Sequence, residues 1–109
     1  MTNHQDTSTE REQLEILARA YGVEPIGHHP AGGAQYNDAD GQCWVFDPAN
    51  RDGEAFRLMA KTGIVFSPYF ANVLRIELHS CAKGEESKAY RRAIVRAVLR
   101  EEELRSGKS

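Results

Sequence analysis

An α+β fold is the architecture this sequence predicts: a helix–sheet–helix layered sandwich with a small, mainly antiparallel sheet, in the order α-β-β-α-β-β-α. Three observations carry it. Apolar residues recur at helical spacing near both ends of the chain. Two short segments alternate apolar and polar side chains as strands do. Turn-forming residues crowd the interval between the first helix and the first strong strand.

At the start, Thr7, Ser8 and Thr9 offer capping oxygens, and Thr7 with Glu10 or Thr9 with Glu12 fits a capping box. Leu14, Leu17, Ala18 and Tyr21 follow at helical spacing, Gly22 stands where a C-terminal cap belongs, and Pro25 forbids continuation. The first helix is therefore placed at residues 9–21. Between 22 and 41 only short extended pieces fit, at Val23–Gly27 and Ala34–Tyr36, separated by the glycine-rich stretch Gly27–Gly33. The run Asn37–Gly41 is a hairpin turn signal that leads into a strand at Gln42–Phe46, with Trp44 as its largest anchor.

Asp47-Pro48 ends that strand, and Asn50 or Asp52 is placed to cap a helix carrying Ala55, Phe56, Leu58, Met59 and Ala60, closed by Gly63. Ile64–Phe66 reads as a short buried strand, Ser67–Phe70 as a loop, and Val73–Ser80 as a strand. In that last strand Leu74, Ile76 and Leu78 face inward and Arg75, Glu77 and His79 face water. A long helix at 87–105 closes the chain, with Tyr90, Ala93, Ile94, Ala97 and Val98 as its core stripe.

A length of 109 residues suits one core, expected over 9–105, with a disordered start at 1–8 and a frayed end at 106–109. Apolar residues at 40% and charged residues at 28% exclude a fully disordered or fibrous chain. No apolar run approaches the roughly 18 residues of a membrane helix, and the polar, acidic stretch from Met1 to Glu15 does not read as a secretory signal. Cys43 and Cys81 are too few for a disulfide scaffold, so a reducing cytoplasm is expected. Charge divides along the chain. Residues 1–54 carry three basic side chains against ten acids, a balance of −7, while residues 55–109 carry eleven against six, a balance of +5. Such a split suits a bipolar binding surface or two halves that attract each other.

The chemistry-bearing candidates are few. Lys88, Arg92, Arg96 and Arg100 repeat every four residues, with Arg91 beside them, and on a helix they form one basic stripe that suits phosphates or an acidic protein surface. The competing reading is a solvated face partly neutralised by Glu101, Glu102 and Glu103, since no aromatic residue interleaves for base stacking. Tyr36, Tyr69 and Phe70 are the aromatics least easily placed in a core and are candidate interface anchors. His28, His29, Cys43, His79 and Cys81 are metal-compatible types without metal-ligand spacing, and His79 and Cys81 would share a strand face. Arg75, Glu77 and His79 place a carboxylate beside an imidazole, a pattern more economically read as cross-strand pairing than as acid–base chemistry. Ser67 and Ser80 lack a nucleophile-elbow context. Gly27–Gly33 has neither a phosphate-loop Lys nor a dinucleotide fingerprint, and is read as a flexible connection.

Two stretches also carry a resemblance. Trp44–Ile64 joins an aromatic-ended strand to a short helix and a glycine exit, through Asp47-Pro48, Asp52, Ala55, Leu58, Gly63 and Ile64. Near the C-terminus come Ala89, Arg91, Arg92, Ala93, Ile94, Val95, Arg96 and Ala97. Together they resemble the phage ABA sandwich domain family, small proteins of tailed phages and prophages, over about residues 10–105. The chain departs from the family pattern at Asp47, usually Asn, and in a longer glycine-rich loop. The resemblance implies a helix–sheet–helix sandwich of phage origin, working in the cytoplasm of a bacterial host, and no catalytic residue, metal or cofactor. The resulting expectation is a non-enzymatic accessory protein that binds a host or phage protein, with no membrane partner. A nucleic-acid-binding module on the basic helix is the alternative, and homodimerisation is left open.

Overall fold

Helix α1, Asn3–Tyr21, ends where the sequence stops it. Gly22 takes a positive φ of 104° and donates its N–H to Arg19, while Val23 donates to Ala18, so two otherwise orphaned carbonyls of the last turn are satisfied. A computed structural model describes residues 3–105, with side chains from Glu10 onward. The helix begins six residues before the expected start at 9. Met1, Thr2 and the expected frayed end at 106–109 lie outside the described residues.

Three strands follow: β1 at Gly27–His28, β2 at Ala34–Asn37 and β3 at Cys43–Phe46. They form an antiparallel sheet in chain order, with Gly27 opposite Gln35 and Tyr36 opposite Trp44. The Asn37–Gly41 turn closes as its sequence predicts. The Asp38 carboxylate accepts the backbone N–H groups of Asp40 and Gln42, each at 2.9 Å, as turn-forming aspartates do.

The other connection, Gly27–Gly33, is no loose loop. His29 N–H bonds the Gly33 carbonyl at 3.0 Å and Gly32 N–H bonds the His29 carbonyl at 2.9 Å. Gly33 lies so close to β3 that an added Cβ would sit 2.6 Å from Val45 Cγ1.

Phe46 is the inward anchor of β3, stacked on Tyr21 of α1 with ring centroids 4.8 Å apart. Trp44 is not buried with it. Burial falls away along β3 from Phe46, leaving Trp44 49% exposed with its indole N–H on the Asp38 carboxylate at 2.8 Å.

Helix α2, Asp52–Thr62, starts from an extended Arg51 that makes no side-chain cap; neither Asn50 nor Asp52 takes that position. Asn50 instead turns its amide back onto Asp47. Gly63 caps the C-terminus at φ 73°, donating to Met59.

Beyond Gly63 the structure corrects the sequence reading. Ile64–Phe66 is a single 3₁₀ turn with Ile64 buried, not a strand. Ser67–Phe70 is not a loop, and Val73–Ser80 is not a strand: Ser67 caps helix α3, Pro68–Ser80, which takes in the rest of both segments. The cap is unambiguous. Ser67 Oγ accepts the Tyr69 N–H at 3.2 Å and Pro68 occupies the first turn, where its missing N–H costs nothing. Phe70, Val73, Leu74, Glu77 and Leu78 then recur at helical spacing and form the inner face, whereas Ile76 is exposed.

Helix α4, Glu86–Arg105, is the hub against which α1, α2 and α3 all pack, α3 most extensively. Its buried stripe is Ala89, Ala93, Ile94, Ala97 and Val98; Tyr90, expected in that stripe, points out, and Ala89 takes the inward place. Three alanines on that face let the neighbouring helices approach closely. Among the described residues the fold is α+β, with four helices and a three-stranded antiparallel sheet; all three strands precede the second helix, unlike the expected alternation.

Candidate functional site

Lys88, Arg92, Arg96 and Arg100 do share one exposed face of α4. Three of them are occupied by α3. Glu77, whose side chain is only 14% exposed, places one carboxylate oxygen 3.8 Å from Arg92 Nη1 and accepts Arg96 Nη1 at 2.6 Å on the other. Bonding to Glu77, helped by Tyr69 and opposed by partial burial, holds the Arg96 proton more firmly than usual. The Arg100 guanidinium stands 5.4 Å above the ring of Tyr69. Lys88 is exposed and makes no hydrogen bond or ion pair among the described residues.

Arg91 turns away from this face. Its Nε donates to the Ala49 carbonyl at 2.9 Å and its Nη1 to Asp52 at 2.5 Å, joining the basic and acidic halves of the chain.

The proposed aromatic anchors fare unequally. Phe70 is 5% exposed and belongs to the core, so it presents no ring to a partner. Tyr36 and Tyr69 are half-buried against that core. Burial raises the Tyr36 phenol above its ordinary pKa, with Tyr21 and Glu54 adding and Arg57 opposing.

The metal-compatible residues do not converge. No group of three His, Cys, Asp or Glu suited to a metal ion occurs among the described residues. His79 and Cys81 lie at the end of α3 and just past it rather than on a strand, and the Cys81 thiol donates to the Leu78 carbonyl at 3.3 Å. His28 Nε2 pairs with Glu15 at 3.1 Å, His29 Nδ1 accepts the Ala31 N–H at 3.0 Å, and Cys43 is exposed. On a helix, Arg75, Glu77 and His79 no longer share a face. Arg75 bonds Asn72 within α3, while Glu77 is given to α4. The acid–base reading thereby loses its geometry.

What sequence reasoning missed is the 3₁₀ turn. Its Val65 and Phe66, expected inside a buried strand, point outward, and Phe66 is 88% exposed. The turn is held from both sides: Ile64 is buried, Phe66 N–H bonds the Gly63 carbonyl at 3.1 Å, and Ser67 N–H bonds the Ile64 carbonyl at 2.9 Å. Beside Phe66 lies a groove of about 300 Å³, bordered by Ile64, Pro68 and Val98 and rimmed by Glu101, Glu102 and Arg105. Glu102 and Arg105 pair at 2.9 Å, and Ser67 Oγ donates to Glu101 at 3.5 Å. A glycine followed by three apolar residues and then Ser-Pro was the available signal: a helix end directly before a helix start leaves too little chain for a strand.

No family model, curated protein or solved structure matches the chain. The apolar residues behind the phage-domain resemblance have a plain structural role: Ala55, Leu58, Ile64, Ala89, Ala93, Ile94 and Ala97 are all buried.

Proposed function

We propose that the chain is a non-enzymatic phage or prophage accessory protein that acts by binding another protein, of the host or of the phage itself. The phage origin, and the helix–sheet–helix layering that goes with it, rest on the motif resemblance. The binding reading rests on one observation: Phe66 stands almost fully exposed on an anchored turn, at the lip of a groove. An exposed aromatic ring on a rigid base is the kind of residue that dominates interface energetics, because little conformational freedom is lost when it is covered.

The nucleic-acid alternative draws less support, since Arg92, Arg96 and Arg100 are engaged by α3 and only Lys88 stands clear of it. A host lysate passed over the immobilised protein and over its Phe66→Ser variant tests the proposal. A protein retained by the first across several salt concentrations and lost from the second is the expected result. No retained species at any salt, or equal retention by both, overturns it. Sedimentation of the purified chain distinguishes a second copy as the partner.

A further inference from the structure

Asp47, 8% exposed, is the one charged residue buried among the described residues. Its carboxylate can accept about four hydrogen bonds. Among the described residues it receives one donor, the Asn50 side-chain amide, whose nitrogen lies 3.1 Å from one oxygen and 3.0 Å from the other. No ion pair to it forms among the described residues, although a buried carboxylate ordinarily demands a counter-charge.

Asp47 borders a cavity of about 350 Å³ between α1, the β1–β2 hairpin and the loop before α2. Leu14 and Leu17 of α1 and Val95 of α4 give it apolar walls, and Gln13 and Asn50 add amides. An adjoining cavity of about 460 Å³, reaching His28 and Pro30, shares Glu10, Leu14, Gly32 and Gly33 with it, so the two form one cleft. The hairpin wall is bare where it meets the acid. A Cβ on Gly32 would stand 3.6 Å from Asp47 Oδ2, and one on Gly33 would stand 3.0 Å from Asp47 Cβ. Gly32 thus leaves room for no more than one ordinary contact beside the carboxylate, whereas Gly33 is packed tight against β3, where a Cβ would also meet Val45 Cγ1 at 2.6 Å.

We propose that this cleft binds a primary alkylammonium group, whether a lysine side chain or a free aliphatic amine, with Asp47 as its counter-ion. The stem of such a ligand lies along Leu14, Leu17 and Val95, while Glu10 and Arg11 stand together at the mouth and offset each other in charge, which leaves Asp47 as the charge that selects the ligand. Ammonium is preferred to guanidinium on geometry. The Asn50 nitrogen, equidistant from both oxygens, already holds the edge of the carboxylate that a guanidinium fork would use, whereas a compact ammonium needs a single oxygen. A divalent metal is a poorer match, because no group of three His, Cys, Asp or Glu suited to a metal ion occurs among the described residues. The site does not depend on what covers Phe66.

Titration of the ¹⁵N-labelled protein with n-butylammonium, n-butylguanidinium and N-acetyl-lysine methylamide tests this. Saturable shifts centred on Gly32, Gly33 and the Asn50 side-chain amide are expected with n-butylammonium, with clearly weaker binding of n-butylguanidinium. Tighter binding of the lysine amide than of the simple amine assigns the source to a protein side chain, and the reverse assigns it to a free amine. Asp47→Asn should weaken n-butylammonium binding by at least about tenfold. Because Asp47 is buried, Gln13→Lys provides a second variant: an ammonium tethered on α1 should occupy the site, raise Tm and abolish n-butylammonium binding. The absence of saturable shifts at those three residues, guanidinium binding as tight as ammonium, or unchanged binding by either variant overturns the proposal.

Discussion

Arg96 on α4 donates to Glu77 on α3 at 2.6 Å, and the Glu77 side chain is 14% exposed while that of Arg96 is 47% exposed. A largely buried carboxylate thus sits against the base of a basic stripe, and the stripe fastens two helices together.

Arg96→Ala should destabilise the fold by about 1 kcal/mol, because it strips a partly buried acid of its closest partner. Arg92→Ala, whose contact to Glu77 is 3.8 Å, should cost less. Urea denaturation of both single variants and of each combined with Glu77→Gln checks this: the Arg96–Glu77 cycle should show coupling and the Arg92–Glu77 cycle little. The reversal Arg96→Glu is a stability variant as well as a charge variant, and any loss of nucleic-acid binding it produces must be read against its melting curve.

The indole N–H of Trp44 holds the Asp38 carboxylate below the usual aspartate range, with the backbone N–H of Gln42 contributing next. A depressed acid stabilises the turn above its unfolded pKa, near 3.9, and that contribution is lost as pH falls through the lower folded value. Trp44 is the sole tryptophan, so its fluorescence reports the event directly. The emission should change in a transition below pH 4, and Asp38→Asn should abolish that transition.

Gly33→Ala and Gly41→Ala separate two costs of a side chain at positive φ. At Gly41, φ is 84° and nothing lies within 4 Å of an added Cβ, so about 1 kcal/mol of backbone strain is expected. At Gly33, φ is 99° and the new methyl would meet Val45 Cγ1 at 2.6 Å and the Phe46 carbonyl at 3.1 Å. Strain and overpacking together should exceed about 2 kcal/mol there. Thermal melts of the two variants decide it.

Phe66 and Phe70 should respond oppositely to truncation. Phe66→Ser changes stability by no more than about 0.5 kcal/mol, since the ring is already in water, and removes partner capture. Phe70→Ala costs about 3 to 4 kcal/mol through the cavity it leaves. Denaturation curves measured beside the capture assay separate a binding residue from a core residue.

Much of the fold was legible in the sequence. Gly22 and Gly63 marked two helix ends, the Asn37–Gly41 turn and β3 followed from turn chemistry and alternation, and the α4 core stripe was misplaced only at Tyr90. The segment 64–80 was not legible by alternation because Leu74, Arg75, Ile76, Glu77 and Leu78 satisfy a period of two over a short window. Tertiary packing on α4 selects the helical face through Phe70, Val73 and Glu77 instead. The basic stripe was correctly located but not its partner, since Glu77 had been assigned to the wet side of a strand. In the sequence Asp47 stood out only by its place before a proline and as a departure from the family pattern, neither of which signals burial. Its burial is a product of the hairpin that closes over it.

With a left-handed glycine on one side and a helix-capping serine on the other, the segment 63–67 has no slack with which to tuck its phenyl ring inward. Concealing the ring by the chain's own motion would require local unwinding of a helix end. In isolation the protein therefore carries a permanent adhesive spot, and its tolerance of high concentration should improve when that single ring is made polar.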